Sequence, residues 1–317
     1  MQKRKIIIAT RGSKLALWQA EHVKAALEKS APTVECELLK IKTTGDKILD
    51  VPLAQVGGKG LFVKEIEEAI LRGEADIAVH SMKDVPTDLP EGLHMGAILK
   101  REDPRDAFIS KKHLSFASLP KGATLGTSSL RRGCQLLSIR PDLNIVSLRG
   151  NLDTRLRKLE ENQFDAIIVA SAGIRRLGLS EKITEILPAS MSLPAIGQGA
   201  IGIECRAGDP FINGLIESLN DKETAIAVKA ERAFLKRLEG GCQVPIAGHA
   251  RLDRGRLLFE GLVGSVSGDR LVKGRMEGSP EEAETLGIRL AEDLLGRGAK
   301  EILDEVYKKE IGPPAGG

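Results

Sequence analysis

Basic side chains in this sequence fall in a pattern that suggests anion chemistry. Arg11, Lys83, Arg131, Arg132, Arg149 and Arg176 each stand a few positions after a short apolar run. Arg155 and Arg175 lie close by, and hydroxyls accompany them at Ser13, Ser81, Thr127, Ser128, Ser129 and Ser171. An arginine fork bonds two oxygens of a carboxylate at once, and a helix N-terminus adds backbone N–H groups and a favourable dipole. Taken singly, each residue reads as a solvated loop charge. Solvated charges should scatter, whereas these recur after five separate apolar runs. Asp84, beside Lys83, is the one carboxylate of the set. It either caps a turn or holds a cationic reaction centre and moves protons. Cys242 sits in GGCQVP, residues 240–245, just past a helical run. The helix dipole there disfavours a thiolate, which argues against a rapidly cycling nucleophile. A one-time covalent attachment tolerates that position, and the flanking glycines leave the sulfur accessible.

The elements needed to hold these residues are those of parallel α/β layers. Strands are expected over 5–9, 34–42, 77–80, 124–126, 144–147 and 166–170, with helices over 13–29 and 61–72. In open parallel sheets the carboxyl ends of the strands line one crevice, where ligands bind. The cations and hydroxyls all follow such ends. Two segment pairs suggest halves of similar topology. LRGEADIAVHSMKD at 71–84 resembles LEENQFDAIIVASAGIRR at 159–176, and IIIATRGS at 6–13 echoes TLGTSSLRR at 124–132. Crossings between the halves are expected near 100–103 and 194–199. The last third changes character. A helix over 224–239 ends at Gly240 as its C′ glycine, and strands over 246–252, 256–263 and 270–277 form an antiparallel meander. A helix then starts with Ser279 as N-cap, Pro280 at N1 and Glu282 at N3. The tail GPPAGG has nothing to bury and is expected to be disordered.

Bulk properties narrow the function. The net charge of +3 is too small to indicate nucleic acid, and aromatics at 3% give no stacking platform for bases. No apolar stretch reaches membrane length, and the run at 6–9 is too short for a signal-peptide core, so a cytoplasmic protein is expected. The cysteines, at 36, 134, 205 and 242, show no CxxC spacing, so neither a disulfide framework nor a zinc site is indicated, and the histidines show no metal spacing. GQGAIG at 197–202 matches GxGxxG, but a strand-like run follows it where a dinucleotide site needs a helix. His80 lies in an apolar strand and reads as a satisfied structural histidine.

These segments resemble the hydroxymethylbilane synthase, or porphobilinogen deaminase, family. The resemblance is carried by ATRGSKLALWQA (9–20), HSMKDVPTDLP (80–90), GTSSLRR (126–132), LRGNLDTRL (148–156), LPAIGQGA (193–200) and ERAFLKRLEGGCQVP (231–245), in order and with compatible spacing. It extends from about residue 4 to 310. It implies an α/β fold with two type II periplasmic-binding-protein-like clamshell domains, whose sheets are mixed and mainly parallel, plus a C-terminal α+β domain with a three-stranded antiparallel sheet. The corresponding boundaries are 1–99 with 200–218, 100–199, and 219–312, before a disordered tail at 313–317.

The resemblance further implies an activity. Porphobilinogen units are joined head to tail with loss of ammonia, and water releases the linear tetrapyrrole hydroxymethylbilane. The chain grows on a dipyrromethane cofactor in thioether linkage to a cysteine, which by motif is Cys242. Each pyrrole carries an acetate and a propionate, so a cationic cleft is what such a chain requires. Asp84 matches the family's catalytic carboxylate, which would stabilise a positively charged pyrrole and relay protons. Arg11, Ser13, Gln19, Lys83 and Ser129 match cofactor- and substrate-contacting positions, as do Arg131, Arg132, Arg149, Arg155, Arg176 and Gln198. Ser81, Thr127, Ser128, Gly150 and Gly199 join them from the same motifs, and Ser171 from the end of the strand at 166–170. Gly57, Gly58, Lys59 and Gly60 resemble a mobile lid. A monomer that binds neither nucleic acid nor membrane is the family expectation. A non-catalytic clamshell binding protein for organic polyanions is the alternative. It accounts for the cations and the repeated halves, but not for the third domain or Cys242.

Overall fold

Short runs of Ile, Val and Ala without polar alternation suit strands covered on both faces, and the pairing in the computed structural model agrees. It describes residues 3–47, 60–240 and 244–311. Strands β1 (Arg4–Arg11), β2 (Val34–Ile41), β3 (Ile77–Ser81) and β4 (Leu93–Ile98) come first. They are followed by β5 (Asp106–Ile109), β6 (Thr124–Gly126), β7 (Asn144–Val146), β8 (Ala166–Ala170) and β9 (Glu185–Ile186). β10 (Ile201–Arg206) precedes β11 (Ile246–Asp253), β12 (Arg256–Gly264) and β13 (Leu271–Gly278).

Contacts divide the chain into two units. One comprises 1–50, 58–102 and 199–225, and the other 51–57, 103–198 and 226–317. The first unit holds a sheet of order β2-β1-β3-β10-β4, with β1 parallel to β2 and β3, and β10 antiparallel to both its neighbours. The second holds a sheet of order β7-β6-β8-β5-β9, with β6 parallel to β7 and β8, and β5 antiparallel to both its neighbours. The two orders are the same. The repeat read from the sequence extends to single hydrogen bonds. Asp76, before β3, accepts from the N–H of Ile7 at 2.8 Å, and Asp165, before β8, accepts from the N–H of Thr124 at 2.8 Å. Ser13 caps the helix Lys14–Ser30 by accepting from Ala16 N, and Ser129 caps Leu130–Ile139 by accepting from Arg132 N. In each half an equivalent aspartate bonds the strand that stands second in the sheet order, and an equivalent serine caps the helix that follows that strand.

Each sheet buries its own apolar side chains. Ile6, Ile8, Ile77, Val79, Ile201 and Ile203 fill the first core, and Phe108, Leu125, Leu136 and Ile168 one face of the second. The C-terminal sheet β11-β12-β13 is antiparallel and packs on the helices Lys222–Arg237 and Ala283–Leu294. Phe234 meets Phe259 edge-on there, with centroids 5.2 Å apart. At Gly287 a Cβ would lie 2.2 Å from the carbonyl oxygen of Ala230, so only glycine lets these helices approach. Within the second unit, buried Glu231 accepts from Gly197 N and Ala250 N, at 2.7 and 2.8 Å, and so ties the β11 strand to the chain before β10.

Several local expectations shift. The helix expected over 61–72 is Lys64–Leu71. Ser279 caps through a full capping box with Glu282, but its first turn is a 3-10 turn, Pro280–Glu282. The helix before Cys242 ends at Arg237, and the left-handed residue is Glu239, at φ 54°, not Gly240. A Cβ at Gly240 would meet the side-chain ends of Ile246 and Leu235, at 2.5 and 2.7 Å. Cys242, the lid positions Gly57, Gly58 and Lys59, and the tail at 313–317 lie outside the described residues.

Candidate functional site

In the first unit, β1 and β3 run parallel, so their carboxyl ends lie at one edge of the sheet. Arg11 closes β1, and Gly12 leads into the Ser13 cap. Ser81 closes β3, and a 3-10 turn, Met82–Asp84, follows at once. That turn carries Lys83 and Asp84 out over the sheet edge. Gln19, six residues beyond the Ser13 cap, donates from Nε2 to Ser81 Oγ at 2.9 Å, which links the two strand ends. Arg11, Ser13, Gln19, His80, Ser81 and Asp84 line one cavity of about 60 Å³, with Phe62, Val63 and Ile66 on its apolar side. Asp84 thus shares a small space with a guanidinium and several hydrogen-bonding groups.

Arg11 is positioned by residues that sequence reasoning did not single out. Its Nε donates to Asp46 at 3.2 and 3.3 Å, its Nη2 also bonds that carboxylate, and its guanidinium lies 4.2 Å from the centre of the Phe62 ring. Burial alone would raise the Asp46 carboxyl, but the hydrogen bonds and charge of Arg11 hold it below the ordinary value. Thr43 Oγ1 donates to the same carboxylate at 2.8 Å. Gly60, the only described lid position, takes φ 86°.

In the second unit, the cations again follow parallel strands. Thr127, Ser128 and Ser129 follow β6, and Thr127 Oγ1 accepts from Ser129 N at 3.2 Å. Ser128 Oγ bonds Ser147 Oγ and donates to Leu148 O, each at 2.9 Å, which ties the β6 and β7 ends together. Arg149 and Gly150 follow β7. Gly150 has φ 103°, and its carbonyl accepts from Arg155 Nε at 2.8 Å. After β8 come Ser171 and Arg176, and the Ser171 hydroxyl accepts from Arg175 Nε at 3.1 Å.

Arg131 and Arg132 differ from the loop charges that their sequence positions suggested. Each is only 4% exposed, and both close on Asp106, a fully buried carboxylate in β5. Arg131 Nη1 reaches Asp106 Oδ2 at 2.7 Å, and Arg132 Nη2 reaches Oδ1 at 2.8 Å. Ser192 Oγ and Gln198 Nε2 complete the carboxylate's bonds at 2.7 and 2.9 Å. Burial works against the charged form, but the paired guanidiniums hold the Asp106 carboxyl far below the usual carboxylate range. Asp106 is a residue the sequence reading missed. Its signal was an acid opening the apolar run DAFI. Gly199, next to Gln198 in sequence, has φ 88° in the first unit, and a Cβ there would lie 2.4 Å from Glu102 O.

Two guanidiniums against one carboxylate leave an excess positive charge in a buried place, and Arg131 Nε is buried there without a partner. That donor set fits a carboxylate-bearing group such as a dipyrromethane. Cys36, Cys134 and Cys205 are buried and free, and burial pushes their thiols up to about 11, 12 and 11, so none of these three is a thiolate near neutral pH. Among the described residues, no group of His, Cys, Asp and Glu could hold a metal ion, and no helix is long and apolar enough to cross a membrane.

The repeated halves, the cations and hydroxyls after the parallel strands, and the added α+β segment define a two-unit α/β protein. The chain belongs to the porphobilinogen deaminase family. Residues 6–214 match the porphobilinogen deaminase dipyromethane cofactor binding domain, and residues 225–296 its C-terminal domain. The porphobilinogen deaminase of Geobacter sulfurreducens is 59% identical over 98% of both chains. That of Geotalea uraniireducens is 60% identical over 96% of this chain and 95% of its own. Among solved structures, the methionine-binding protein MetQ aligns at a TM-score of 0.43 and 13% identity, over 68% of this chain and 89% of its own.

Proposed function

We propose residue roles for the activity that family membership gives this chain, the joining of porphobilinogen units head to tail into hydroxymethylbilane with release of ammonia, on a dipyrromethane cofactor. Asp84 is the catalytic carboxylate. It accepts from pyrrole N–H groups, stabilises the positive charge that develops on the ring, and takes or returns a proton. The observation that carries this role is the cavity that Asp84 shares with Arg11, Ser13, Gln19 and Ser81. Lys83 and Arg11 beside it, and Arg149, Arg155 and Arg176 at the strand ends of the other half, hold the acetate and propionate groups. Each charge-assisted bond contributes about 1.5–3 kcal/mol. The excess charge at Arg131 and Arg132 would hold a carboxylate of the dipyrromethane, and Ser128, Ser129, Ser171 and Gln198 supply hydrogen bonds around it. When bound, the dipyrromethane supplies the pyrrole carbon on which the chain is extended.

Cys242 is the attachment point, by its motif and by elimination of the three buried thiols. We read the chain as a cytoplasmic monomer that acts on a small molecule and takes neither nucleic acid nor membrane. The near-balanced charge and the scarcity of aromatics support that reading. Three domains, at 1–99 with 200–218, 100–199 and 219–312, would divide the work between two ligand-holding halves and a cofactor-carrying part.

Asp84→Asn and Asp84→Glu test the central role. Asparagine keeps the shape and removes the charge, and loss of one preorganised stabilising group costs about 10²–10³ in rate. Glutamate keeps the charge one methylene away and retains part of the activity. Porphobilinogen consumption is measured together with intact mass, which should exceed the sequence mass by one dipyrromethane in all three proteins. An asparagine variant with normal mass and the wild-type rate would remove Asp84 from the mechanism.

A further inference from the structure

The guanidinium of Arg11 already holds a carboxylate of the protein's own. Its Nε donates to Asp46 Oδ1 and Oδ2 at 3.2 and 3.3 Å, and its Nη2 bonds Oδ1. This is the two-oxygen contact that an arginine makes with a ligand carboxylate. The pair is partly open to water, at 20% and 19% exposed, so it parts without stranding a fully buried charge. The two partners are also anchored independently. Asp46 lies in the helical turn Thr44–Lys47, and Thr43 gives its Oδ2 two donors, N at 3.3 Å and Oγ1 at 2.8 Å. Gly45 N donates to Leu61 O at 2.8 Å, and Thr44 N donates to Glu65 Oε1 at 2.7 Å. Gly45 rests on the Phe62 ring, where a Cβ would come within 2.3 Å. Asp46 therefore keeps its place and two hydrogen bonds when Arg11 leaves. Arg11 in turn lies 4.2 Å from the centre of the Phe62 ring, a contact that stabilises the cation without Asp46.

The cavity beside this pair is too small as it stands. It holds about 60 Å³, whereas small-molecule sites begin at about 300 Å³. A lining group must move to admit a ring with two acid side chains, and Arg11 and Phe62 both line the cavity. A second carboxylate placed on the same guanidinium would also repel the first. Entry of a ligand carboxylate and departure of Asp46 from Arg11 are therefore one event.

We propose that Asp46 is an internal counterpart of the substrate carboxylate: it occupies Arg11 between substrates, yields the guanidinium to an incoming acetate or propionate, and takes it back when the pyrrole moves on. A site that handles one monopyrrole after another needs a carboxylate contact that also lets go, and a competing carboxylate at the same guanidinium supplies the exchange. Asp46 acts through Arg11 and sets how tightly substrate is held, without touching substrate. No covalent bond forms or breaks. The inference rests on the carboxylate-holding role given to Arg11.

The test uses the holoenzyme with porphobilinogen. Asp46→Asn keeps the shape and an oxygen that accepts from Thr43, but it removes the competing charge. KM should fall, and kcat/KM should rise, by about fivefold, the upper end for a partly exposed ion pair, because apparent affinity scales with the fraction of time that Arg11 is available. If Asp46 merely steadied Arg11, the same variant would raise KM and lower kcat/KM. That result, or unchanged constants, would overturn the exchange. Arg11→Lys is measured alongside and should raise KM, since a lysine loses the two-oxygen contact. An unchanged KM there would sink the carboxylate-holding role itself, whereas a raised KM there without a fall in Asp46→Asn would sink the exchange alone. A second measurement leaves Asp46 untouched. The Arg11 Nε–H resonance, assigned by its loss in Arg11→Lys, is followed in the wild-type holoenzyme before and during turnover of excess porphobilinogen. It should move as Nε leaves Asp46, and a resonance that stays in place overturns the proposal even if the Asp46 variant does not fold.

Discussion

Asp106→Asn is the most demanding test of how the second unit holds its arginines. The carboxylate is fully buried and accepts from Arg131, Arg132, Ser192 and Gln198. Asparagine keeps one acceptor oxygen. If that oxygen replaces Oδ1, the amide NH₂ falls where Oδ2 now accepts from Arg131 Nη1 and Ser192 Oγ, both at 2.7 Å, and donors then face donors. Two guanidiniums, each only 4% exposed, lose their counter-charge. Removing one partner of a buried ion pair costs about 3–5 kcal/mol, and with two cations stranded the upper value applies. For a unit of this size that lowers Tm by about 10–20 °C. The pH dependence follows from the depressed carboxyl. Its contribution is fully present above the ordinary aspartate pKa and is lost only as pH falls through the lower folded value. The gap between wild type and variant should therefore be the same at mildly acidic and neutral pH, and should narrow only in strong acid. Urea and thermal unfolding followed by circular dichroism measure it. Asp103→Asn is the comparison, because Asp103, 11% exposed, pairs with Arg105 and Arg175, which are 45% and 41% exposed, and guanidiniums open to water keep their solvation when the counter-charge is lost. An Asp106→Asn loss no larger than that of Asp103→Asn would refute the argument that this cluster is held by buried charge.

Gly199→Ala places a Cβ 2.4 Å from Glu102 O at φ 88°, whereas Gly178→Ala meets nothing within 4 Å at φ 69°. Both carry the left-handed strain of about 1–2 kcal/mol, so thermal unfolding should show Gly199→Ala clearly the more destabilised, and equal losses would mean that the contact relaxes freely. Glu67 has a folded pKa of about 7 against an ordinary 4.5, so its protonated form favours the fold. That stability is full below about pH 4.5 and is lost as pH rises through about 7, and Glu67→Gln should accordingly gain up to about 3 kcal/mol over wild type above neutral pH and little in acid. Urea midpoints across this pH range check it, and a gain that did not grow with pH would contradict the buried-acid picture.

The sequence by itself determined the parallel strands, the C-terminal meander, and the placement of cations and hydroxyls after the parallel strands, but not β4, β5 or β9. Those features are written in local patterns: apolar runs for covered strands, a serine three residues before a bonded N–H for each helix start, and paired Asp76 and Asp165 ahead of equivalent strands. Asp84 was legible for the same reason, since the strand end and the turn that present it are adjacent in sequence. What lies around those residues was decided by tertiary structure. β5 and β10 enter their sheets antiparallel, beside strands distant in sequence, and with them come the acids that meet the site. Asp106 reaches Arg131 and Arg132 only because β5 pairs with β8, and Glu204 meets His80 across 124 residues of chain through the β3–β10 pairing. Even at the end of the helix before Cys242, local reasoning named Gly240 as the left-handed residue where the structure uses Glu239. Hydrophobic periodicity and capping act over a few residues and can be read along the chain. Burial of a charge depends on which distant partner neutralises it, and that is settled only when the sheets assemble.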